Sequence, residues 1–327
     1  MAGNKRVAGT DMDAVDNMPP AKRMKPEAVP KEQLPDARAT IGLLTIRPRN
    51  FSSLDQVPDS YFDNNTWRGV FLPTIAYTAG GENIDPWFID DNSLIKILAK
   101  AWRVVYAGKP SLKHYIDAVF HASKQGLNEW RSGFESAAIM MTTSIMAYKP
   151  ASFSTYEQRF VVAKYYLYKH RFLFKNHSSN DKKEWTGMWQ SEFILQTFAA
   201  HLDYTRGRMH VEALGSEEQL SRTALALSAA AVKRTLGLLL TGELSFEVTT
   251  AVAKGEKKVI RNNEAQASNG DLWKIIMSNT EGFSESLWGY DSRMFLNAIN
   301  RATATGHSEI NSTEDIDKEY TDLFHFR

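Results

Sequence analysis

The chain has 327 residues, 43% of them apolar, with 39 basic and 38 acidic side chains and no cysteine. The absence of thiols excludes disulfides, thiolate metal sites and cysteine nucleophiles, and the near-cancelling charges exclude a generally basic nucleic-acid binder. The balance is uneven, because residues 1–50 carry nine Lys/Arg against six Asp/Glu while 51–327 carry 30 against 32.

Residues 1–40 contain no aromatic side chain and no apolar periodicity. Such a segment cannot offset the entropy of ordering, so a disordered tail is expected. Its first residues lack the apolar run of a secretory signal, and a non-secreted protein is expected. The sequons at Asn64, Asn176 and Asn311 then carry no weight. Within the tail, Pro19-Pro20-Ala21-Lys22-Arg23-Met24-Lys25-Pro26 is an extended basic peptide between prolines. It resembles a short monopartite nuclear localisation signal, which implies importin as a partner and Lys22, Arg23 and Lys25 as the residues read. Lys5-Arg6 would be the minor half of a bipartite signal, with fifteen intervening residues, Val7 to Ala21. The same charges would also serve as a weak anchor on nucleic acid.

The folded part is expected to span 41–305. Ile41 to Ile46 reads as a short strand or pinned segment, Val70 to Tyr77 as extended, and Ala79-Gly80-Gly81-Glu82 as a turn. Asp91, Asn92 and Ser93 offer a cap for a helix carrying Leu94, Ile97, Leu98, Ala101, Trp102 and Val105. Ser111 caps the next, which Gly126 kinks or ends before Trp130. Phe134 to Tyr148 is a further helical run, and Ser154 or Thr155 opens a long helix over 156–175. After a polar loop at 176–184, a possible lobe boundary, the pattern predicts helices over Trp185–Tyr204, from Ser216 to about Leu240, over Leu272–Met277 and over Ser286–Ala302. Leu244 to Ile260 admits one small hairpin. Residues 306–327 form a polar, acidic tail. The class expected is mainly α, an irregular helical bundle. The apolar run Ala224–Leu240 is interrupted by Lys233, Arg234 and Gly237, so it reads as a buried helix and not a membrane span. Its five alanines, Ala224, Ala226, Ala229, Ala230 and Ala231, make it the candidate central packing element.

One segment stands out chemically. Lys164, Tyr168, Arg171 and Lys175 are spaced four, three and four apart, which places them on one helix face. Phe160, Ala163, Leu167 and Phe174 take the other, and Lys182 and Lys183 extend the positive surface into the loop. Such a face suits phosphates, with a tyrosine stacking on a base. The commoner reading of such a pattern is an ordinary surface helix whose long basic side chains lie over aromatic rings, and protein contact is a third. His170 and His177 add charge only if protonated. The pair His114/His121 and the group His201, Asp203 and His210 lack metal-ligand spacing. Ala107-Gly108-Lys109-Pro110-Ser111 lacks the first glycine of a phosphate loop, and there is no nucleophile elbow. No catalytic, cofactor-binding or metal-binding residues are assigned.

The stretch Arg222–Leu244, with Ala-Leu-Ala-Leu-Ser-Ala-Ala-Ala-Val-Lys-Arg and Thr241-Gly242-Glu243, partially resembles the alanine-rich helix of uncharacterised helical domains encoded by basidiomycete fungi. That resemblance implies no activity and no residue roles. The reading favoured is a non-enzymatic nuclear binding or adaptor protein that contacts nucleic acid, chromatin or a nuclear protein. Two alternatives stay open: a self-assembling, nucleocapsid-like protein, and an all-helical enzyme built from dispersed residues.

Overall fold

The computed structural model describes residues 64–82, 84–215, 220–249, 261 and 263–304, all within the unit Ile41–Arg327. The tail 1–40 with Lys22, Arg23 and Lys25, the segments 41–46, 216–219 and 259–260, and the acidic segment 306–327 lie outside the described residues. The described part is mainly α, as expected.

Val70 to Tyr77, expected to be extended, is helical: a π turn, Trp67–Phe71, leads into α1, Leu72–Ala79. Pro73 is no breaker, because it sits in the first turn of α1, where its missing N–H is tolerated. Trp67, Phe71, Ile75 and Ala79 recur every fourth residue and are all buried, which is a helical stripe. Asp90, just ahead of the expected cap, accepts from the Ser93 amide at 3.0 Å and opens α2, Asp91–Val105.

Ser111 caps a 3-10 turn, Leu112–His114, and α3 follows as one continuous helix, Ile116–Tyr148. At 1.5 Å per residue it is about 50 Å long. The expected break at Gly126 does not occur, since that glycine is where Leu72 packs against the helix. A Cβ there would stand 2.8 Å from a Leu72 methyl. Thr155 and Gln158 form a capping box for α4, Tyr156–Leu167. Beyond it come α5, Glu192–Tyr204, α6, Arg222–Thr241, and α7, Glu285–Ala304.

Helix α6 is the centre of the packing, in contact with α3, α4, α5 and α7. All five of its expected small residues are fully buried, and alanine there lets neighbouring helices approach closely. By length and composition it is the one described helix able to cross a membrane, yet 78% of its apolar window is buried inside the protein. Its three charges are all paired within the fold, Arg222 with Glu82 at 3.6 Å. Lys233 pairs with Asp291 of α7 and Arg234 with Glu135 of α3, each at 2.7 Å.

Two small antiparallel sheets complete the described fold. Strands β1, Phe174–Asn176, and β2, Thr186–Met188, form a hairpin with Asn176 opposite Thr186. Trp185–Tyr204 is therefore not one helix: the chain passes through β2 and a left-handed Trp189 before Ser191 caps α5. The second sheet contains β3, Leu244–Thr249, β4, Glu264–Gln266, and β5, Leu272–Met277, in the order β3-β5-β4. Leu272–Met277, expected as a helix, is its central strand. Six residues with an Ile-Ile pair and a Trp are too short to close several helical turns and suit a pleated surface better. The partner of β3 is β5, with Phe246 opposite Ile275.

Candidate functional site

The expected basic helix over 156–175 ends at Leu167, because the next residues bury too much for a single helical stripe. His170, Arg171, Phe172, Leu173 and Phe174 are all buried, whereas a surface helix hides only one face. The chain instead runs through a 3-10 segment, Tyr168–Leu173, in which Lys169 and His170 adopt left-handed backbone angles, φ 49° and 56°. For residues with a Cβ this costs roughly 1 kcal/mol or more each. The turn sends the His170 ring into the core and swings Arg171 back beneath α4.

The result is an open cleft of about 490 Å³, lined by Val161, Lys164 and Tyr165 from α4, Tyr168 and Arg171 from the turn, and Asn180 from the β1–β2 loop. Three of the residues singled out in the sequence, Lys164, Tyr168 and Arg171, meet here although the helix meant to align them does not exist. The other three do not line the cleft. Lys175 is exposed on β1, and Lys182 and Lys183 belong to a 3-10 turn of the hairpin loop. On the expected core side, Ala163 and Phe174 are buried, while Phe160 and Leu167 are half-buried.

Arg171 is the floor of the cleft and only 7% exposed. Its guanidinium carbon lies 4.2 Å from the ring centroid of Tyr165, 4.9 Å from that of Trp185 and 5.4 Å from that of Tyr168. Its hydrogen bonding is sparse. Nη2 donates to the Ser179 carbonyl at a long 3.5 Å, and Nε is buried without an acceptor. Among the described residues no carboxylate forms an ion pair with it, and no acidic side chain lines the cleft. Three aromatic faces stabilise a cation electrostatically but leave its charge uncompensated.

The walls are fixed by short-range contacts. Tyr165 donates to the His177 carbonyl at 3.2 Å and shares its hydroxyl with His177 Nδ1 at the same distance. Trp185 Nε1 donates to the Ser179 carbonyl at 2.9 Å, the same carbonyl that Arg171 Nη2 reaches, so the hairpin loop packs beside the guanidinium. Tyr168, in contrast, is 53% exposed and faces outward. Neither histidine of this region adds charge at neutral pH. Burial, then Lys233 and Lys182, lowers the His170 pKa to about 3, and burial also lowers that of His177.

Sequence spacing could not have shown the parts played by Val161, Tyr165, Asn180 and Trp185, which depend on the left-handed turn and the hairpin.

Elsewhere, His114 lies in the 3-10 turn and His121 on α3, both exposed and not on one helix face. His201 is a core histidine: Trp130 Nε1 donates to its Nδ1 at 3.3 Å, and its Nε2 lies 3.2 Å from Ser221 Oγ. An indole can only donate, so the ring proton sits on Nε2 and points at the serine. A general base needs the opposite tautomer, so this Ser-His pair is not an activated nucleophile. Asp203 pairs with Arg206 at 2.8 Å. Among the described residues no three His, Asp or Glu side chains gather to hold a metal. Comparison with protein families, curated proteins and solved structures finds no match for the chain.

Proposed function

We propose that the protein is a non-enzymatic binding protein of the nucleus that engages nucleic acid through the Lys164–Tyr168–Arg171 cleft. The observation that carries this reading is the buried Arg171 guanidinium, which lines the cleft and has no carboxylate partner among the described residues. A buried cation is ordinarily paired, because losing water costs several kcal/mol. A cleft that keeps one unpaired, adds Lys164 at its edge and carries no acid is prepared for an anion such as a phosphate. Lys175, Lys182 and Lys183 on the adjoining hairpin give that anion a positive approach.

The nuclear part of the reading rests on Lys22, Arg23 and Lys25, read by importin. Replacing all three by Ala in a fluorescent fusion is expected to abolish nuclear accumulation, and unchanged accumulation would reject it. For the cleft, the test is a shift of mixed-sequence RNA and DNA at about 50 mM salt, repeated at higher salt. Neutralising Lys164, Arg171 and Lys175 together is expected to remove the shift. No shift in the native chain, or one that survives neutralisation, would contradict the proposal.

Self-assembly is a second reading with one observation behind it. Leu195 and Leu202 lie seven residues apart on α5, hence on one face, and both are more than half exposed. Sedimentation that shows a monomer at every concentration would end that reading.

A further inference from the structure

We infer that the cleft takes one unpaired nucleotide of a single-stranded nucleic acid, its phosphate held by Arg171 and Lys164 and its base laid on the Tyr168 ring. This rests on the nucleic-acid reading above and narrows it to a strand type. The volume of about 490 Å³ falls in the range of sites for one small ligand, roughly 300–1,000 Å³. The cleft is open and local, lined by six residues, so it offers a surface for one unit and not a groove for a helix. The cations are few: two line the cleft, and residues 51–327 hold 30 Lys/Arg against 32 Asp/Glu, so no broad field supplies affinity from many phosphates.

The aromatic surface decides the strand type. Tyr165 and Trp185 are engaged by Arg171 and by the hairpin loop. Tyr168 is half exposed at the mouth, with the Arg171 guanidinium carbon 5.4 Å and the Lys169 ammonium 5.5 Å from its ring centroid. An exposed tyrosine face beside a cation is the pairing that takes a base by stacking while its phosphate meets the charge. In a duplex the base faces are covered by their neighbours and only edges reach the grooves, so the ring would have nothing to stack on. An acidic or phosphorylated peptide would satisfy the cations but not use the ring. Asn180, exposed at the far wall, offers both a donor and acceptors to a base edge.

The test uses the full chain with Lys22, Arg23 and Lys25 replaced by Ala, so that the tail charges do not contribute. Fluorescence anisotropy would follow a short mixed-sequence single strand, the same sequence as a duplex, and inorganic polyphosphate as competitor. The single strand is expected to bind at least ten-fold more tightly than the duplex, and polyphosphate of equal charge is expected to compete poorly. The log of the affinity should fall with the log of salt with a shallow slope of about −0.7, as for one neutralised phosphate of a single strand. Tyr168→Ala should weaken binding roughly ten-fold or more, whereas Tyr168→Phe, which keeps the ring, should stay within about two-fold. The exposure of Tyr168 makes both variants compatible with folding, which circular dichroism checks. Equal binding of duplex, equal competition by polyphosphate, or full binding by Tyr168→Ala would overturn the inference while leaving nucleic-acid binding in place. No binding of any strand would overturn both.

Discussion

The guanidinium carbon of Arg171 stands 4.2 Å from the centroid of the Tyr165 ring, and that contact joins a turn to the helix before it. Lys169 and His170 hold strained backbone angles only because Arg171, Phe172 and Leu173 are buried in this way. Arg171→Ala is therefore expected to lower stability by about 2 kcal/mol, from lost ring contacts and packing. Arg171→Lys should recover part of that, since it keeps the charge but not the flat group. Urea midpoints measure both. A change below about 0.5 kcal/mol for the alanine variant would mean that the turn is held by Phe172 and Leu173 alone.

Acid should destabilise the fold through two histidines. Burial, with smaller contributions from nearby cations, holds the pKa values of His170 and His201 at about 3, against about 6.5 in an unfolded chain. Below about 6.5 the unfolded state binds protons that the folded state refuses, so stability is complete above that pH and falls as pH drops toward about 3. Each histidine contributes a slope of roughly 1 kcal/mol per pH unit in that window. Denaturant titrations between pH 7.5 and 4.5 should show this loss, and His201→Gln should remove about half of the histidine slope. An unaltered slope in that variant would contradict the assignment.

Glu135 is expected to be a single point of failure between α3 and α6. It pairs with the buried Arg234 at 2.7 Å and accepts from the Phe283 amide at 3.1 Å. Glu135→Ala would leave a guanidinium in the core without its carboxylate, at a cost of about 3 kcal/mol. A thermal midpoint close to that of the native chain would show that the Arg234 contact to the Glu281 carbonyl suffices alone.

Two glycines should respond in opposite directions. A Cβ on Gly207 would collide with the backbone carbonyl of Gly69, which has no flexible end to move aside. Gly207→Ala should cost about 2 kcal/mol or more. Gly133, within α3, has open space around its Cβ position, so Gly133→Ala should stabilise by up to about 1 kcal/mol through helix propensity. Melting curves of the two variants check both signs.

Helices with strong local signals were legible in the sequence. The alanine run of α6, the Thr155 cap and the Leu94–Trp102 stripe each state helix by local chemistry alone, whereas Ser111 caps only a 3-10 turn ahead of α3. Legibility ended where tertiary burial overrides local preference. Leu272–Met277 is a strand because β3 and β4 pair with it, and nothing within six residues announces those partners. Residues 168–174 leave the helix because five in succession are buried. The chemistry of the site was half visible. Lys164, Tyr168 and Arg171 stood out as basic and aromatic residues, but a left-handed turn brings them together, not the helix face their spacing suggested. Trp185 and Asn180 reach them from a hairpin with no spacing signal.

The most direct measurement is ultraviolet crosslinking of a labelled single strand to the full native chain, followed by peptide mapping. The crosslinks are expected in residues 161–185, with Tyr168 foremost, and they should disappear with Lys164→Ala and Tyr168→Ala combined. Crosslinks confined to residues 1–40, unchanged by those two substitutions, would contradict a nucleic-acid role for the cleft.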